Sequence, residues 1–483
     1  MKRVKESWLS VRNEPWLYSV LLLILAPLFP DYMSFILVIA SFIFARQDMK
    51  RTGRRFSVGT VGLLMLAALG YMAFSLVYST DPVGSFWSLI MWISLFGAYL
   101  VASSVLTDRH RLRTAMLCMT AVVGLVSFLG VGQYLFGAVL DLDMEHGLWN
   151  GLDRLVYGLL KVPFDVLDFN GRVSSTFNNP NLLAAYLVMT IPFAVAYVLT
   201  GTRSKPKALS RISLILSAYA LGFSFSRGGY LAFIAVALLL FCLFINKKFV
   251  MTVLTTIYIV LLIPPVISNR LITVVPSNVN TPADSVVVEE EVTPQPPATL
   301  EELEEEISEG YAEDNSVQMR FVMWKKVLSG VVKRPLFGSG IGIQTTQKTL
   351  SAAGLEYKHA HNLFLEILAQ GGLILFGFFA TVLLVLMRRS LRLLKRRHNQ
   401  EAWLLGFAIL GACLALCVHG VFDFPLLTPR MLVTAMLLLG IAESVARVYL
   451  KAPVRELSAV WAGIIRPFRR LVENATQKTA KHG

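Results

Sequence analysis

The sequence predicts an all-α polytopic membrane protein with about twelve transmembrane helices. Hydrophobic residues make up 55% of the 483 residues and charged residues only 16%, and the mean hydropathy is +0.61. These values exclude an ordinary soluble domain. The apolar residues fall into runs of about 15 to 25, long enough to cross about 30 Å of hydrocarbon as helices. The alternation over about ten residues that a membrane β-strand needs does not occur.

The first two apolar runs are short, and the sequence leaves open whether this hairpin crosses fully. We expect the first helix to be retained, because Pro27, Pro30 and Asp31 follow it where a small-residue cleavage site would stand. The four cysteines lie inside apolar runs and are expected to fill the core. The predicted spans are 16–29, 33–45, 58–78, 86–106, 113–136, 182–200, 209–223, 229–245, 249–267, 362–387, 401–419 and 430–449.

The formal net charge is +14, from 45 Lys and Arg against 31 Asp and Glu. Most of these cations lie in alternate loops, and positive residues mark the cytoplasmic side of a membrane protein. We therefore expect both termini in the cytoplasm. No basic stripe is interleaved with exposed aromatic residues, so nucleic acid is not expected as a partner.

These predictions divide the chain into six parts. Low apolar content and like charge make the stretch 284–315 an acidic insert to which we assign no chemistry. The parts are N-terminal transmembrane helices (1–136), an outer loop with an interfacial helix (137–181), central transmembrane helices (182–267), a large extracytoplasmic loop (268–361), C-terminal transmembrane helices (362–449) and a basic amphipathic cytoplasmic tail (450–483).

Arg227 lies in a very short outer turn with the sequence SFSRGGYLA. Ser226 can cap the following helix, and Gly228 and Gly229 remove side chains from its first turn. Exposed N–H groups, the helix dipole and a guanidinium then coincide, which favours an anion site fit for phosphate. The alternative is an Arg that snorkels at a helix end.

Two further outer arginines are candidates for the same anion. Arg172 lies among hydroxyl and amide side chains before Asn179 and Pro180, where the alternative is a capped turn into a helix. Arg320 and Trp324 share one helical face, and the alternative there is an amphipathic helix on the membrane with Trp324 as its interfacial anchor. We expect Arg320 to supply a second cation for a diphosphate, and Trp324 to be the anchor.

His361 begins the helix HNLFLEILAQGG and can accept a proton near neutral pH. The alternative is an ordinary helix cap with a hydrogen-bonded His. Asn362, Glu366 and Gln370 follow at helical spacing as a polar stripe that should face the bundle interior, and Glu366 is the ionisable group expected deep in a span.

His359 and Asp423 are two other polar groups that could take part in the site. His359 is expected nearer to solvent, as a weaker candidate for the base. Asp423, near His419, could orient a base or an Arg, or could simply close a turn before Pro425. The sequence favours the structural role for Asp423.

The sequence favours neither a metal nor a cofactor. The D-x-D string of Asp141 and Asp143, with Glu145 and His146, has the look of a metal-dependent sugar transferase. It is short, and such strings often arise by chance. Nucleotide-binding loops and the nucleophile elbow of hydrolases are not found.

Five strings, in order over residues 170–425, resemble the O-antigen ligase and Wzy-type polymerase superfamily. They are RVSSTFNNPNLLAAYL, SFSRGGYLA, RFVMWKKVLSGVVKRPLFGSGIG, HNLFLEILAQGGLILFG and HGVFDFPL. The resemblance implies a GT-C-like, inverting, metal-independent glycosyltransferase that takes a glycan from an undecaprenyl-diphosphate carrier on the outer face of the membrane. It also implies that the protein lies in the plasma (inner) membrane. The resemblance further implies that Arg227 and Arg320 bind the diphosphate, that His361 activates the acceptor hydroxyl, and that Arg172 is a further basic position.

The acceptor stays open: a second lipid-linked glycan, a lipid or cell-wall anchor, or a protein hydroxyl. Polysaccharide assembly machinery is a possible partner. The acidic insert before Arg320 departs from the family pattern. A multi-pass transporter or lipid-linked glycan flippase is the alternative function, and it would need ionisable groups near the midplane and broken helices. A non-catalytic assembly partner is a third possibility.

Overall fold

The computed structural model describes residues 14–135, 172–177, 179–200, 205–243 and 316–463. The predicted span 249–267, the interfacial stretch of the loop 137–181, the acidic insert and the D-x-D string lie outside the described residues.

The described chain is mainly α-helical. Two 3₁₀ turns, Ala26–Leu28 and Ser175–Phe177, and an antiparallel pair of two-residue strands, β1 (Ser57–Val58) and β2 (Arg455–Glu456), join the helices. The helices are α1 (Pro15–Ile24), α2 (Met33–Thr52), α3 (Thr60–Ser75), α4 (Pro82–Val105), α5 (Arg109–Tyr134), α6 (Pro180–Leu199), α7 (Lys205–Phe223), α8 (Arg227–Leu243), α9 (Ser316–Lys333), α10 (Ile343–Ser351), α11 (Leu363–Leu394), α12 (Gln400–Phe422) and α13 (Pro429–Leu450).

Six of the described helices are long and apolar enough to cross a membrane: α4, α5, α6, α11, α12 and α13. Helices α1, α3, α7 and α8 are apolar but shorter. With 10 residues, α1 extends about 15 Å, half of a hydrocarbon core. The structure therefore confirms a polytopic helical membrane protein, while the number of twelve spans stays a prediction.

Helices α6 and α13 lie at the centre of the bundle, and 78% of the apolar window of each is buried. Small residues let the helices approach closely, as is common where helices pack in a membrane. A Cβ on Gly440 of α13 would lie 2.5 Å from the Cβ of Ala102 in α4, and one on Gly411 of α12 would lie 3.2 Å from Pro192 of α6.

Ion pairs join the helices at one end of the bundle. Asp48 accepts from Arg111 at 2.9 Å and from Arg54 at 3.1 Å, and Arg113 binds Glu401 at 2.6 Å. Basic side chains of the segments 50–55, 109–113 and 388–397 belong to this end. We call it the basic end.

A buried ion pair joins α11 to α13 near the basic end. Arg389 Nη1 lies 3.0 Å from Glu443 Oε2, and Glu443 also accepts from the backbone N–H of Val61. The expectation that Glu366 is the ionisable group deep in a span was therefore incomplete. Arg389 lies just after the predicted span 362–387, but α11 continues past it and buries it.

Helix α11 is broken at Gly372, whose backbone has φ 60° and ψ −162°. The loop after α9 fills the break. Ser339 N–H donates to Ala369 O at 2.8 Å and Gly340 N–H to Gln370 O at 3.0 Å, while Leu373 N–H donates to Pro335 O at 2.8 Å. The backbone groups released by the break are thus satisfied by protein, as broken helices in membranes require.

Glycine is required in this loop for two reasons. Gly338 has φ +70°, and a Cβ there would lie 2.6 Å from the backbone of Gln370. The Gly-rich string LFGSGIG therefore forms the loop that docks into the break of α11. Its hydrogen bonds to the backbone on both sides of the break fix this loop against the first turns of α11.

Candidate functional site

The end of the bundle away from the basic end carries every described candidate residue. Here the α7–α8 turn, the start of α11 and the end of α12 meet. A Cβ on Gly228 would lie 3.1 Å from the Cβ of Phe422, and Asn362 Nδ2 donates to Val421 O at 3.0 Å. These contacts bring Arg227, His361 and Asp423 to one region, which we call the site end.

Two hydrogen bonds hold the backbone next to His361. Trp324 Nε1 donates to Ala360 O at 2.8 Å, and Ala360 N–H donates to Glu366 Oε2 at 2.9 Å. His361 itself has φ +45°, a left-handed conformation that costs a non-glycine residue free energy. The fixed Ala360 peptide holds the strained His361 in place.

Trp324 is therefore more than the interfacial anchor that the sequence predicts. Its indole N–H ties α9 to the loop that carries His361. Because Arg320 lies one helical turn before Trp324, the same bond places Arg320 near that loop.

Glu366 is fully buried and is a structural acceptor. Besides the Ala360 N–H, it accepts from Thr346 Oγ1 and Gln370 Nε2, both at 2.8 Å. Gln370 Oε1 accepts in turn from the N–H of Gly342 at 2.9 Å. The predicted polar stripe is thus buried as expected, and it binds α10 and the loop before it to α11.

Asn362 caps α11, because its Oδ1 accepts from Phe364 N–H and Leu365 N–H, each at 3.0 Å. The helix-capping role that was the alternative for His361 is therefore taken by Asn362. The His361 side chain points instead to Asp423, with Nδ1 and Oδ1 3.2 Å apart.

Asp423 is ionised in this setting. Burial alone would raise the pKa of its carboxyl, but the hydrogen bond and the charge of His361 outweigh burial and lower the pKa to about 2. The sequence favoured a turn-closing role for Asp423. Its side chain does accept from Phe424 N–H at 2.8 Å, and it also orients His361.

The expectation that His359 lies nearer to solvent than His361 was wrong. His359 is 7% exposed, whereas the His361 side chain keeps 31% of its surface. The two rings lie 4.1 Å apart between centroids. Burial, followed by the charge of His361, lowers the pKa of His359 to about 4, so this imidazole is neutral at neutral pH.

Arg320 is half-buried in α9, and its positive charge acts on the rings of His359 and His419. Arg227 is exposed at the first position of α8. Within the described ranges, neither guanidinium has a hydrogen bond or an ion pair. Two cations that pair with no described carboxylate, at one end of a helical bundle, can receive an anion.

The first turn of α8 has the predicted cap, since Ser226 Oγ accepts from Gly229 N–H at 3.3 Å. Both glycines also serve close packing. A Cβ on Gly229 would lie 2.7 Å from the Cβ of Ala184 in α6. Glycine at 228 and 229 thus lets the N-terminus of α8 approach both α6 and the end of α12.

An apolar cavity of about 190 Å³ lies between α3, α4, α11, α12 and α13. Its lining includes Phe424, which follows Asp423 in the chain, and Gln370 at the break of α11. The remaining lining is almost wholly hydrocarbon, with Leu69, Trp92 and Phe379 among the larger side chains. The cavity therefore adjoins the site end from within the bundle.

Residues 212–382 match the family model described as O-Antigen ligase. Over this segment the chain is similar to the O-antigen ligase family. The match confirms the resemblance, contains three of the five sequence strings and covers about a third of the chain. A search of curated proteins finds no match.

The O-antigen ligase match contains Arg227, Arg320 and His361, whereas Arg172 precedes it and Asp423 follows it. Arg172 is joined to the matched part by hydrogen bonds. Its Nε donates to Ser224 O at 3.0 Å, and its Nη2 donates to Asn181 Oδ1 at 3.0 Å and to Phe225 O at 3.3 Å. These bonds fix the α7–α8 turn from outside the O-antigen ligase segment.

Sequence reasoning named the arginines and the base, but it missed the hydrogen bond from Trp324 to Ala360. It offered the orientation of a base as one role of Asp423, without favouring it and without naming His361 as the partner. The helical spacing of Arg320 and Trp324 was a usable signal for the first. For the second, the signal was only that two polar residues stand at predicted outer helix ends, 62 positions apart.

Proposed function

We propose that this protein, which matches the O-antigen ligase model over residues 212–382, is a glycosyltransferase. It moves a glycan from an undecaprenyl-diphosphate carrier to an acceptor hydroxyl on the outer face of the plasma membrane, in polymerisation or ligation of a cell-surface polysaccharide. The observation that carries the proposal is the His361–Asp423 pair, 3.2 Å apart, at the bundle end that also holds Arg227 and Arg320.

His361 is the general base. Asp423 binds its Nδ1, which leaves Nε2 to take the proton of the acceptor hydroxyl, and the carboxylate stabilises the imidazolium that forms. The acceptor oxygen bonds to the anomeric carbon as the bond from that carbon to the diphosphate oxygen breaks. Attack from the side opposite the diphosphate inverts the anomeric configuration.

Arg227 and Arg320 bind the diphosphate. Negative charge grows on this leaving group as its bond breaks, and preorganised cations stabilise such charge most strongly in the transition state. The N-terminus of α8 adds its dipole to the charge of Arg227. A displacement helped in this way needs no metal, because the guanidinium groups supply the neutralising charge.

Arg172 assists the donor site by holding the turn that carries Arg227. Ser226 and Gly228 support the same turn through the cap and the close contact with Phe422. Glu366 supports the His361 loop through Ala360.

The apolar cavity beside Phe424 supports a lipid-linked donor, since it offers hydrocarbon surroundings next to the polar site. The side of the membrane is supported by charge. Lys and Arg collect at the basic end, and cytoplasmic ends carry such an excess, so the site end faces outwards.

Transfer measured in detergent tests the proposal. The purified chain should transfer glycan from a lipid diphosphate donor without any sealed compartment, which a transporter would need. His361→Ala and Arg227→Ala should abolish transfer. Arg334→Ala is the matched control, because Arg334 is exposed and lies about 20 Å from Arg320 by the helical rise of α9. Normal transfer by both site variants would refute the assignment.

A further inference from the structure

Two histidines and a carboxylate converge at the site end. One ligand atom from each of His359, His361 and Asp423 lies within 4.8 Å of the other two. Two imidazole nitrogens and a carboxylate oxygen form a donor set typical of Zn²⁺ and similar borderline-soft cations, whereas Mg²⁺ and Ca²⁺ favour oxygen alone.

The spacing is close to that of a coordinated ion. Bonds of about 2.0 to 2.2 Å in a tetrahedral site place ligand atoms about 3.3 to 3.6 Å apart. The His361 and Asp423 atoms are already 3.2 Å apart. The other separations are at most 4.8 Å, a gap that ring rotation can shorten.

Hydrogen bonds already fix the backbone that carries the two histidines, before any ion binds. Ala360, between the two histidines, is fully buried. Its N–H is bound by Glu366 and its C=O by Trp324, at 2.9 and 2.8 Å. Such outer contacts orient the ligands of metal sites and strengthen binding.

His359 also presents a lone pair. Its Nδ1 accepts a hydrogen bond from His361 N–H at 3.2 Å, so this nitrogen carries no proton. A cation that binds His359 Nδ1 replaces that single long hydrogen bond.

We propose that His359, His361 and Asp423 bind one Zn²⁺-class ion, and that the bound ion inhibits glycan transfer. The inhibition, but not the binding, rests on the proposed function. A metal on His361 Nδ1 leaves the proton of the neutral ring on Nε2, and that nitrogen then cannot accept the proton of an acceptor hydroxyl. The ion also occupies the Asp423 oxygen that would stabilise the imidazolium.

Metal binding is measured on the untagged full chain in detergent, by Zn²⁺ titration against a competing chelator and by the visible absorption of bound Co²⁺. We expect one ion per chain and a spectrum of tetrahedral Co²⁺. His359→Ala and Asp423→Asn should each weaken Zn²⁺ binding at least about tenfold, and His359→Gln serves if the alanine variant does not fold. His398→Ala, which removes an exposed His, is the matched control and should bind as the wild type does. Equal binding by the site variants and the wild type would overturn the proposal.

Inhibition is measured separately. Zn²⁺ should lower transfer, a chelator should restore it, and the same concentration of Mg²⁺ should have no effect. Transfer that continues with Zn²⁺ bound would overturn the inhibitory half. Absence of transfer under every condition, with Zn²⁺ still bound, would refute the proposed function and leave the metal site supported.

Discussion

Asp423→Asn tests the base most sharply, since it keeps the shape of the side chain and removes its charge. At the observed 3.2 Å, an imidazolium and a carboxylate attract by about 1.3 kcal/mol at a dielectric of about 80, and by about 2.6 kcal/mol at about 40. The His361 side chain is 31% exposed, so we take this range as the stabilisation that the charge provides in the transition state. The variant should then lower kcat about 10- to 80-fold.

The assay is the initial rate of transfer at saturating donor, with donor KM measured in parallel. Donor KM should change little, because Asp423 acts on the base and not on the diphosphate. Glu356→Gln is the matched control, since it removes one negative charge from an exposed position on the loop before His361. A wild-type kcat for Asp423→Asn, or an equal loss for Glu356→Gln, would refute the pairing as a catalytic device.

Three further predictions concern stability, each measured by thermal or denaturant unfolding in detergent. Trp324→Phe leaves the buried Ala360 carbonyl unpaired and should lower the free energy of unfolding by about 1 to 3 kcal/mol. Trp461→Phe is the control, because Trp461 is 51% exposed, and an equally large loss in that variant would count against the prediction. Gly338→Ala should cost at least about 2 kcal/mol, because its backbone is left-handed and a Cβ there would meet α11. Gly377→Ala is the control and should not destabilise the fold, because a Cβ there meets nothing within 4 Å and alanine favours a helix over glycine. The pKa of His359 is about 4 in the folded state and about 6.5 in the unfolded state. The contribution of His359 to the free energy of unfolding is therefore fully present above about pH 6.5 and is lost as the pH falls towards about 4. His359→Asn should make the free energy of unfolding depend less on pH between these two values, and an unchanged slope would contradict this.

The spans were predictable because an apolar run of about 20 residues is too hydrophobic for an aqueous loop and satisfies its backbone hydrogen bonds in a membrane as a helix. Each predicted span except 249–267, which lies outside the described residues, overlaps a described helix. The break in α11 was not predicted. Gly371 and Gly372 look like tolerated helix glycines, and only the docked loop shows why the helix stops there.

The residue types of the candidate site were predictable from the sequence. A charged or ionisable side chain at the membrane end of a helix has a high desolvation cost, so its presence indicates a function. The partners of these residues were not predictable. The ring of His359 lies 6.1 Å from that of Phe424, which is 65 positions further along the chain. The contact of Arg389 with Glu443 likewise joins helices far apart in sequence. Such long-range contacts leave no local periodicity for sequence reasoning to detect.

Donor affinity, measured separately from turnover, tests the central claim most directly. His361→Ala should bind the lipid diphosphate donor as the wild type does while kcat falls at least about 100-fold, the contribution of a general base. Arg320→Ala should weaken donor binding about 10- to 150-fold, the loss of a charge-assisted hydrogen bond. Unchanged donor affinity in Arg320→Ala, or an equal loss of affinity in His361→Ala, would contradict the division of roles between cation and base.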